Sequence, residues 1–313
     1  MCFELHDKRS SQMHRNKQKL RVEHIFPYIL IAPSMILIVG FMLFPIISVF
    51  HLSIQNYDYN NFAKQGYVGF YNFKKLFTED KNFIPAIVFT LKWVLTEVSL
   101  QLIFGVILGL LLNRRFKGRG IIRSMALVPW AVSGVLTTML WLMIFDQNVG
   151  LFNLILQKAG VPIPALPSWL NDVKLVFPSV ALAELWRGVP FFTINILAAL
   201  QNVPKEIYES CDIDGAGAWQ KFRYITLPYL KQTIVLTTML RFIWEFNSVD
   251  MLYTLTGGGP VRMTTTLSIY MMKTSVISGN YGYGSAIGVV VFLTLLVFAA
   301  FYMKTSRFGG ETD

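Results

Sequence analysis

The chain has 313 residues, of which 54% are hydrophobic and only 15% charged, and its mean hydropathy is +0.48. That composition is too apolar for an ordinary soluble domain and points to a bilayer as solvent. The formal net charge of +10 does not indicate nucleic acid, because Lys and Arg are spread over tails and a short loop, with no aromatic-interleaved basic domain to read bases.

The tail over 1–25 carries six cations, Lys8, Arg9, Arg15, Lys17, Lys19 and Arg21. The apolar run after it is longer than the hydrophobic region of a secretory signal, so it is expected to remain as the first span. Apolar runs long enough to cross about 30 Å of hydrocarbon fall at 26–50, 84–112, 124–145, 174–200, 233–255 and 285–303. The expected fold is therefore an all-α membrane protein with six transmembrane helices over 26–303, followed by a short tail over 304–313.

Orientation follows from the cations between spans. The N-terminal tail, the link "NRRFKGRGIIR", the segment over 201–231 and the C-terminal tail hold seventeen Lys and Arg, against eight in the opposite segments. Both termini and the 201–231 segment are expected in the cytoplasm, with the protein multi-pass in a cytoplasmic membrane. Cys2 and Cys211 then share that side, where disulfides are rare, and are expected as free thiols. On the other side, 57–77 is rich in Tyr, Phe and Asn, and 160–171 is stiffened by three prolines. Both suit a cap or docking surface, or aromatic residues seated at the membrane interface.

The segment "PKEIYESCDIDGAGAWQKFRYITLPYL" is hydrophilic between two apolar runs. Pro204 suits a helix start, and Glu206 and Glu209 fall in opening turns that favour acids. A helix is expected over 204–213, broken at Gly215 and Gly217, with a second from about 218 ending before Pro228. Such a pair is either a plain connector or a docking knob outside the bilayer.

Charges inside the spans are Lys92, Glu97, Glu184, Arg187, Arg241, Glu245 and Asp250. Each would cost on the order of 3 kcal/mol facing lipid at a helix centre, so they are expected to face the bundle interior or a water-filled path. Glu184 with Arg187, and Arg241 with Glu245, share helix faces at i,i+3 and i,i+4, whereas Lys92 and Glu97 point to different sides. Such pairs serve either as interhelical glue or as a polar lining, with Trp186, Phe191, Asn195, Trp244, Asn247 and Ser248 as neighbours on the same two spans. Gly257, Gly258, Gly259 and Pro260 are expected to form a tight turn at the outer end of the fifth span. No histidine shows metal-ligand spacing, no catalytic constellation stands in order, and no G-x-x-x-x-G-K-[ST] loop is present to hold ATP.

Glu209-Ser210-Cys211, Gly215 and Ile225-x-Leu227-Pro228 resemble the "EAA" cytoplasmic loop of permease subunits in bacterial binding-protein-dependent ABC importers, with Ser210 and Cys211 where that family has two alanines. "VGFYNF" (68–73), "LWRGVPFF" (185–192), "IDGA" (213–216) and "FNSVDMLYTLTGGGP" (246–260) extend the resemblance to the first permease of the maltose-type carbohydrate importers. It implies a six-span permease whose loop, with Glu206, Glu209, Ser210, Cys211, Asp214, Gly215, Ile225, Leu227 and Pro228, couples to an ATPase. It also implies a second homologous permease, two ATPase subunits that bind ATP and Mg, an external solute-binding protein and no catalysis in this chain. The sugar path would draw on Glu184, Arg187, Gly188, Phe191, Asn195, Arg241, Glu245, Asn247, Ser248 and Asp250. Arg187 stands where a neutral-sugar permease would have an apolar residue, which hints at an acidic sugar of the uronate type or a phosphorylated polyol. The rival reading is a proton- or ion-coupled secondary carrier in which Glu97, Glu184 or Asp250 takes the proton.

Overall fold

A computed structural model describes residues 26–61, 63 and 65–306. The basic tail with Cys2, and residues 307–313 of the C-terminal tail, lie outside the described residues. Helix α1 (Phe26–Ser53) is apolar on every side, and none of its most apolar window is buried. A π turn at Val39–Leu43 precedes Pro45. The ring that cannot donate a hydrogen bond is thus met by a widened turn instead of a kink.

After α1 the chain forms a two-residue antiparallel pair, β1 (Gln55–Asn56) with β2 (Gly66–Tyr67), and the short helix α2 (Tyr71–Thr78). Buried Asn72 of α2 donates to the Ser53 carbonyl at 2.9 Å and the Gln55 carbonyl at 2.8 Å, stapling the hairpin to the end of α1. Asp80, beyond α2, accepts from the hydroxyls of Tyr270 at 2.5 Å and Tyr283 at 2.6 Å. The chain after α2 is thereby tied to its C-terminal part, while Tyr67, Phe70, Tyr71 and Phe77 stay exposed.

The centre is the pair α3 (Phe83–Asn113) and α7 (Val176–Gln201), the most extensive helix contact in the molecule. Its closeness depends on glycine: a Cβ on Gly105 would fall 2.3 Å from the Phe192 Cβ, and one on Gly109 2.8 Å from the Ile196 Cγ2. Small residues at i,i+4 let two backbones approach where no hydrophobic force drives helices together. Between them lie α4 (Arg119–Ala131), α5 (Gly134–Ile144) and α6 (Leu151–Lys158). Trp169, in the proline-stiffened segment, donates to Asn153 at 2.9 Å and joins the rings of Phe145 and Phe152. The rest comprises α8 (Lys205–Ile213), α9 (Ala218–Lys221), α10 (Leu227–Asn247), α11 (Asp250–Thr256), α12 (Leu267–Met272) and α13 (Tyr281–Thr305).

Several expectations need correction. Among the described residues four helices, α1, α3, α7 and α13, are long and apolar enough to span, and a fifth arises only if α4 and α5 count together. The run at 124–145 is a pair bent by 94°: Pro129 lies inside α4, and Val132 is extended with ψ 139°. The run at 233–255 is broken between Asn247 and Asp250, and α10 carries Lys231, Arg241 and Glu245, which dilute its apolar character. The second helix of the hydrophilic segment does not end before Pro228. It continues from α9 through a π turn at Phe222–Thr226 into α10, with Pro228 in the first turn of α10, repeating the device seen at Pro45. Lys92 does not face the interior: it is exposed, its ammonium 4.3 Å from the Phe177 ring centre.

Candidate functional site

Glu184 on α7 and Arg241 and Glu245 on α10 converge with Glu97 and Gln101 on α3. All are buried, Glu97 and Gln101 completely and Glu245 to 1% exposure. Arg241 is engaged from two sides: its Nε donates to Gln101 Oε1 at 2.6 Å, and its Nη2 lies 2.9 Å from Glu184 Oε1 and 2.6 Å from Glu245 Oε1. Gln101 Nε2 donates to Glu97 Oε2 and Glu245 Oε1, each at 3.1 Å. The carboxamide orientation follows from its neighbours, with NH₂ toward carboxylates and oxygen toward guanidinium. Desolvating such charges costs several kcal/mol per ion unless they are closely paired, which explains why every helix of this junction contributes a partner. Glu97 Oε1 and Glu245 Oε2 have no hydrogen-bond partner among the described residues.

A cavity of about 360 Å³ opens beside this junction. Trp130, Val132, Ile243 and Trp244 provide its apolar lining, and Glu184, Arg187, Arg241, Glu245, Asn247, Ser248 and Asp250 its polar one. Trp130 and Trp244 are 51% and 46% exposed, so both offer ring faces. Arg187 is the accessible cation: its side chain is 30% exposed and its Nη1 is 3.7 Å from Glu184 Oε2, longer than a charged hydrogen bond. Asp250 is exposed on the first turn of α11, so it is not an interior charge. Asn247 is exposed and donates to the Ile243 carbonyl at 2.9 Å.

Three expected path residues sit behind the lining. Gly188 underlies Gln101, and a Cβ there would fall 2.2–2.4 Å from the carboxamide atoms. Phe191 is buried, its ring 5.1 Å from that of Trp244. Asn195 is half-buried and donates to the Phe191 carbonyl at 2.7 Å. Gln101 is the member that sequence reasoning missed. The signal was present, since Glu97, Gln101, Gly105 and Gly109 recur at i,i+4 and form a polar-to-small stripe on one face of α3.

The turn at the end of α11 is knotted. Gly257 and Gly258 have φ of 60° and 83°, conformations open to glycine, and the Gly259-Pro260 bond is cis. Thr265 donates to the Gly258 carbonyl at 2.9 Å, Thr264 to the Gly259 carbonyl at 2.7 Å, and Lys273 to the Gly257 carbonyl at 2.5 Å.

At the hydrophilic segment, Glu206, Glu209, Ser210, Asp214, Gly215 and Pro228 are exposed, while Cys211, Ile225 and Leu227 are half-buried. Cys211 is a free thiol. Gly215, with φ of 75°, turns the chain between α8 and α9, and Lys221 and Asp212 form an ion pair across the bend. Ser210 donates to the Glu206 carbonyl at 2.9 Å, and the Tyr208 and Thr226 hydroxyls are 2.9 Å apart. Ile213, Trp219 and Tyr224 are 87%, 72% and 74% exposed, a set of large apolar side chains on an otherwise polar element. Among the described residues no three His, Cys, Asp or Glu are grouped to hold a metal.

A helical protein built on spanning helices, with a polar cavity beside one of them, α7, belongs to the class of multi-pass membrane transport proteins. Residues 101–305 match the family of binding-protein-dependent transport system inner membrane components. The trehalose/maltose transport system permease protein MalF of Thermococcus litoralis is 34% identical over 282 residues, covering 90% of this chain and 93% of that one. The sulfoquinovosyl glycerol transport system permease protein SmoG of Agrobacterium fabrum is 30% identical, covering 91% of each. A chain from the crystal structure of a bacterial ABC transporter that imports the acidic polysaccharide alginate has the same fold, with a TM-score of 0.81 at 22% identity over 94% of this chain and all of that one. The chain belongs to this family, among the MalF-type permeases of carbohydrate uptake. It is a non-catalytic, multi-pass inner-membrane subunit of a binding-protein-dependent ABC transporter, and ATP binding lies in separate subunits. The secondary-carrier reading falls with that membership.

Proposed function

We propose that this subunit forms half of the path of an importer for oligosaccharides or related polyols, and that its cargo is acidic. The observation that carries the reading is the cavity between α7 and α10, where two exposed tryptophan faces accompany carboxylates and one accessible cation, Arg187. Sugars are recognised by aromatic faces and by side chains that exchange hydrogen bonds with hydroxyls, and a guanidinium adds bidentate recognition of an anion. Of the two relatives named above, one transports the anionic sulfoquinovosyl glycerol and the other the neutral trehalose and maltose, so the choice of an acidic cargo rests on Arg187.

In this reading the six spans are α1, α3, the bent α4–α5 pair, α7, α10 with α11, and α13, with both termini cytoplasmic by the positive-inside bias. The bend of α8 and α9, with Glu209 and Gly215, docks on one of two ATPase subunits, and Ile213, Trp219 and Tyr224 give that contact its apolar part. A second homologous permease completes the path. ATP closes the ATPase pair, the bent helices carry the motion, and α7 and α10 open the cavity to the external binding protein, with the loop over 257–260 at the outer gate.

The test is ATPase activity of the complex purified through this subunit and reconstituted in lipid, with and without binding protein loaded with candidate sugars. Stimulation by the loaded protein is expected, strongest with a uronate oligosaccharide. Solute movement by the lone chain down a proton gradient, with no ATPase co-purifying, would overturn the reading.

A further inference from the structure

Arg187 and Glu184 are i,i+3 on α7, a spacing at which arginine and glutamate normally pair. Here the pair is loose: Arg241 draws Glu184 Oε1 to 2.9 Å, and Glu184 Oε2 stands 3.7 Å from Arg187 Nη1. Arg241 is held in turn by Gln101 at 2.6 Å, and Gln101 occupies its place because Gly188 has no side chain. The sequence of dependence runs from Gly188 through Gln101, Arg241 and Glu184 to Arg187. Gly134 adds room on another side, since a Cβ there would stand 3.4 Å from Arg187 Nη2.

We infer that Gln101 and Arg241 are positioning residues that occupy Glu184 and so keep Arg187 available for the anionic group of the transported sugar. The inference rests on the acidic-cargo reading above. Glu245 and Asp250 share the cavity with Arg187. Glu245 Oε1 is taken by Arg241 and Gln101, and exposed Asp250 accepts from hydroxyls of the same ligand. The cargo class is thus a sugar with one anionic group, carboxylate or sulfonate, and several free hydroxyls. Without Gln101 on its Nε, Arg241 is held by the two carboxylates alone and is free to swing toward Glu245, which leaves Glu184 to pair with Arg187 and quench it. If Glu184 loses its charge, Arg187 has no competitor.

The experiment uses the reconstituted complex with its binding protein and measures uptake of a uronate disaccharide, a 6-sulfonated analogue and the neutral disaccharide of the same linkage. Selectivity is the anionic-to-neutral ratio for each variant divided by that of the native complex, so the binding protein's own preference cancels. Gln101→Met is expected to lower this ratio about tenfold, the effect of losing one charged hydrogen bond. Glu184→Gln is expected to raise it about threefold, a direction that loss of structure does not produce. If Gln101→Met fails to assemble, the sign of the Glu184→Gln effect decides. The uronate and sulfonate arms tell which anion the cavity takes. A native complex with no preference for either anion overturns the acidic-cargo reading and this inference with it. A native preference that both variants leave unchanged overturns the inference alone.

Discussion

Substituting glycines along the α3–α7 contact separates two kinds of closeness. A Cβ on Gly105 would stand 2.3 Å from the Phe192 Cβ and 3.2 Å from the Thr193 nitrogen. These atoms belong to or adjoin the backbone, so ordinary contact at about 3.7 Å requires the helices to part by more than an ångström. Gly105→Ala is therefore expected to destabilise by about 3 kcal/mol, the upper part of the range for overpacking. Gly188→Ala meets only the tip of Gln101 at 2.2–2.4 Å, and a side chain can turn away. Its cost is the loss of hydrogen bonds to Glu97, Glu245 and Arg241, about 2 kcal/mol after roughly 1 kcal/mol of regained helix propensity. Gly120→Ala, with open space around it, is the control. The assay is thermal unfolding of the complex in detergent, with Gln101→Ala as the second arm of a double-mutant cycle. In the Gln101→Ala background Gly188→Ala should stabilise by roughly 1 kcal/mol, its regained helix propensity, whereas Gly105→Ala should cost the same in both. Additive effects of Gly188→Ala and Gln101→Ala would refute the assigned contact, and a native-like Gly105→Ala would refute the packing argument.

Two further outcomes test other parts of the molecule. Burial raises the Asp80 carboxyl, but hydrogen bonds from Tyr270, Tyr283 and the Asn82 and Phe83 backbone outweigh it, so its pKa lies below the usual value of 3.8. A carboxyl depressed in the folded state contributes stability above its unfolded pKa and loses it as pH falls through the folded one. Asp80→Asn should lower the melting temperature at pH 7 and flatten its fall below about pH 4, and an unchanged profile would remove this contact from the protein's stability. Glu209→Lys should leave the subunit in the membrane while weakening co-purification of the ATPase about tenfold, as reversal of an exposed docking charge does; native co-purification and transport would detach Glu209 from coupling.

Much of this architecture was legible in the sequence because a bilayer imposes a length. Runs of about 20 apolar residues mark α1, α3, α7 and α13, and Pro204, Gly215 and Gly217 mark the bend between α8 and α9. The internal charges were legible as pairs, Glu184 with Arg187 and Arg241 with Glu245, because helix periodicity is local. What joins the pairs was not, since Arg241 is shared between Glu245 on its own helix and Glu184 on another. Gln101 was hidden by being neutral within an apolar run. The breaks at Val132 and Ser248 were hidden because hydropathy averages over a window and is insensitive to a single extended residue. Pro228 misled because a proline reads as a stop, while a π turn before it lets the helix continue.

The three central helices are joined by two different chemistries. α3 and α7 meet through Gly105 and Gly109 against Phe192 and Ile196, and dispersion contacts of this kind fall away within an ångström of separation. α10 joins them through Arg241, Glu245, Gln101 and Glu184, where a guanidinium that leaves one carboxylate finds another within reach. Leaving any of these charges unpaired in a dry interior is costly, so relative movement here must proceed by exchange of partners. The exchange is possible because Glu97 and Glu245 each retain an oxygen with no hydrogen-bond partner among the described residues. On the proposed mechanism, a path opening between α7 and α10 would run along a contact built of interchangeable ionic partners, while the glycine contact beside it would hold α3 and α7 as one body.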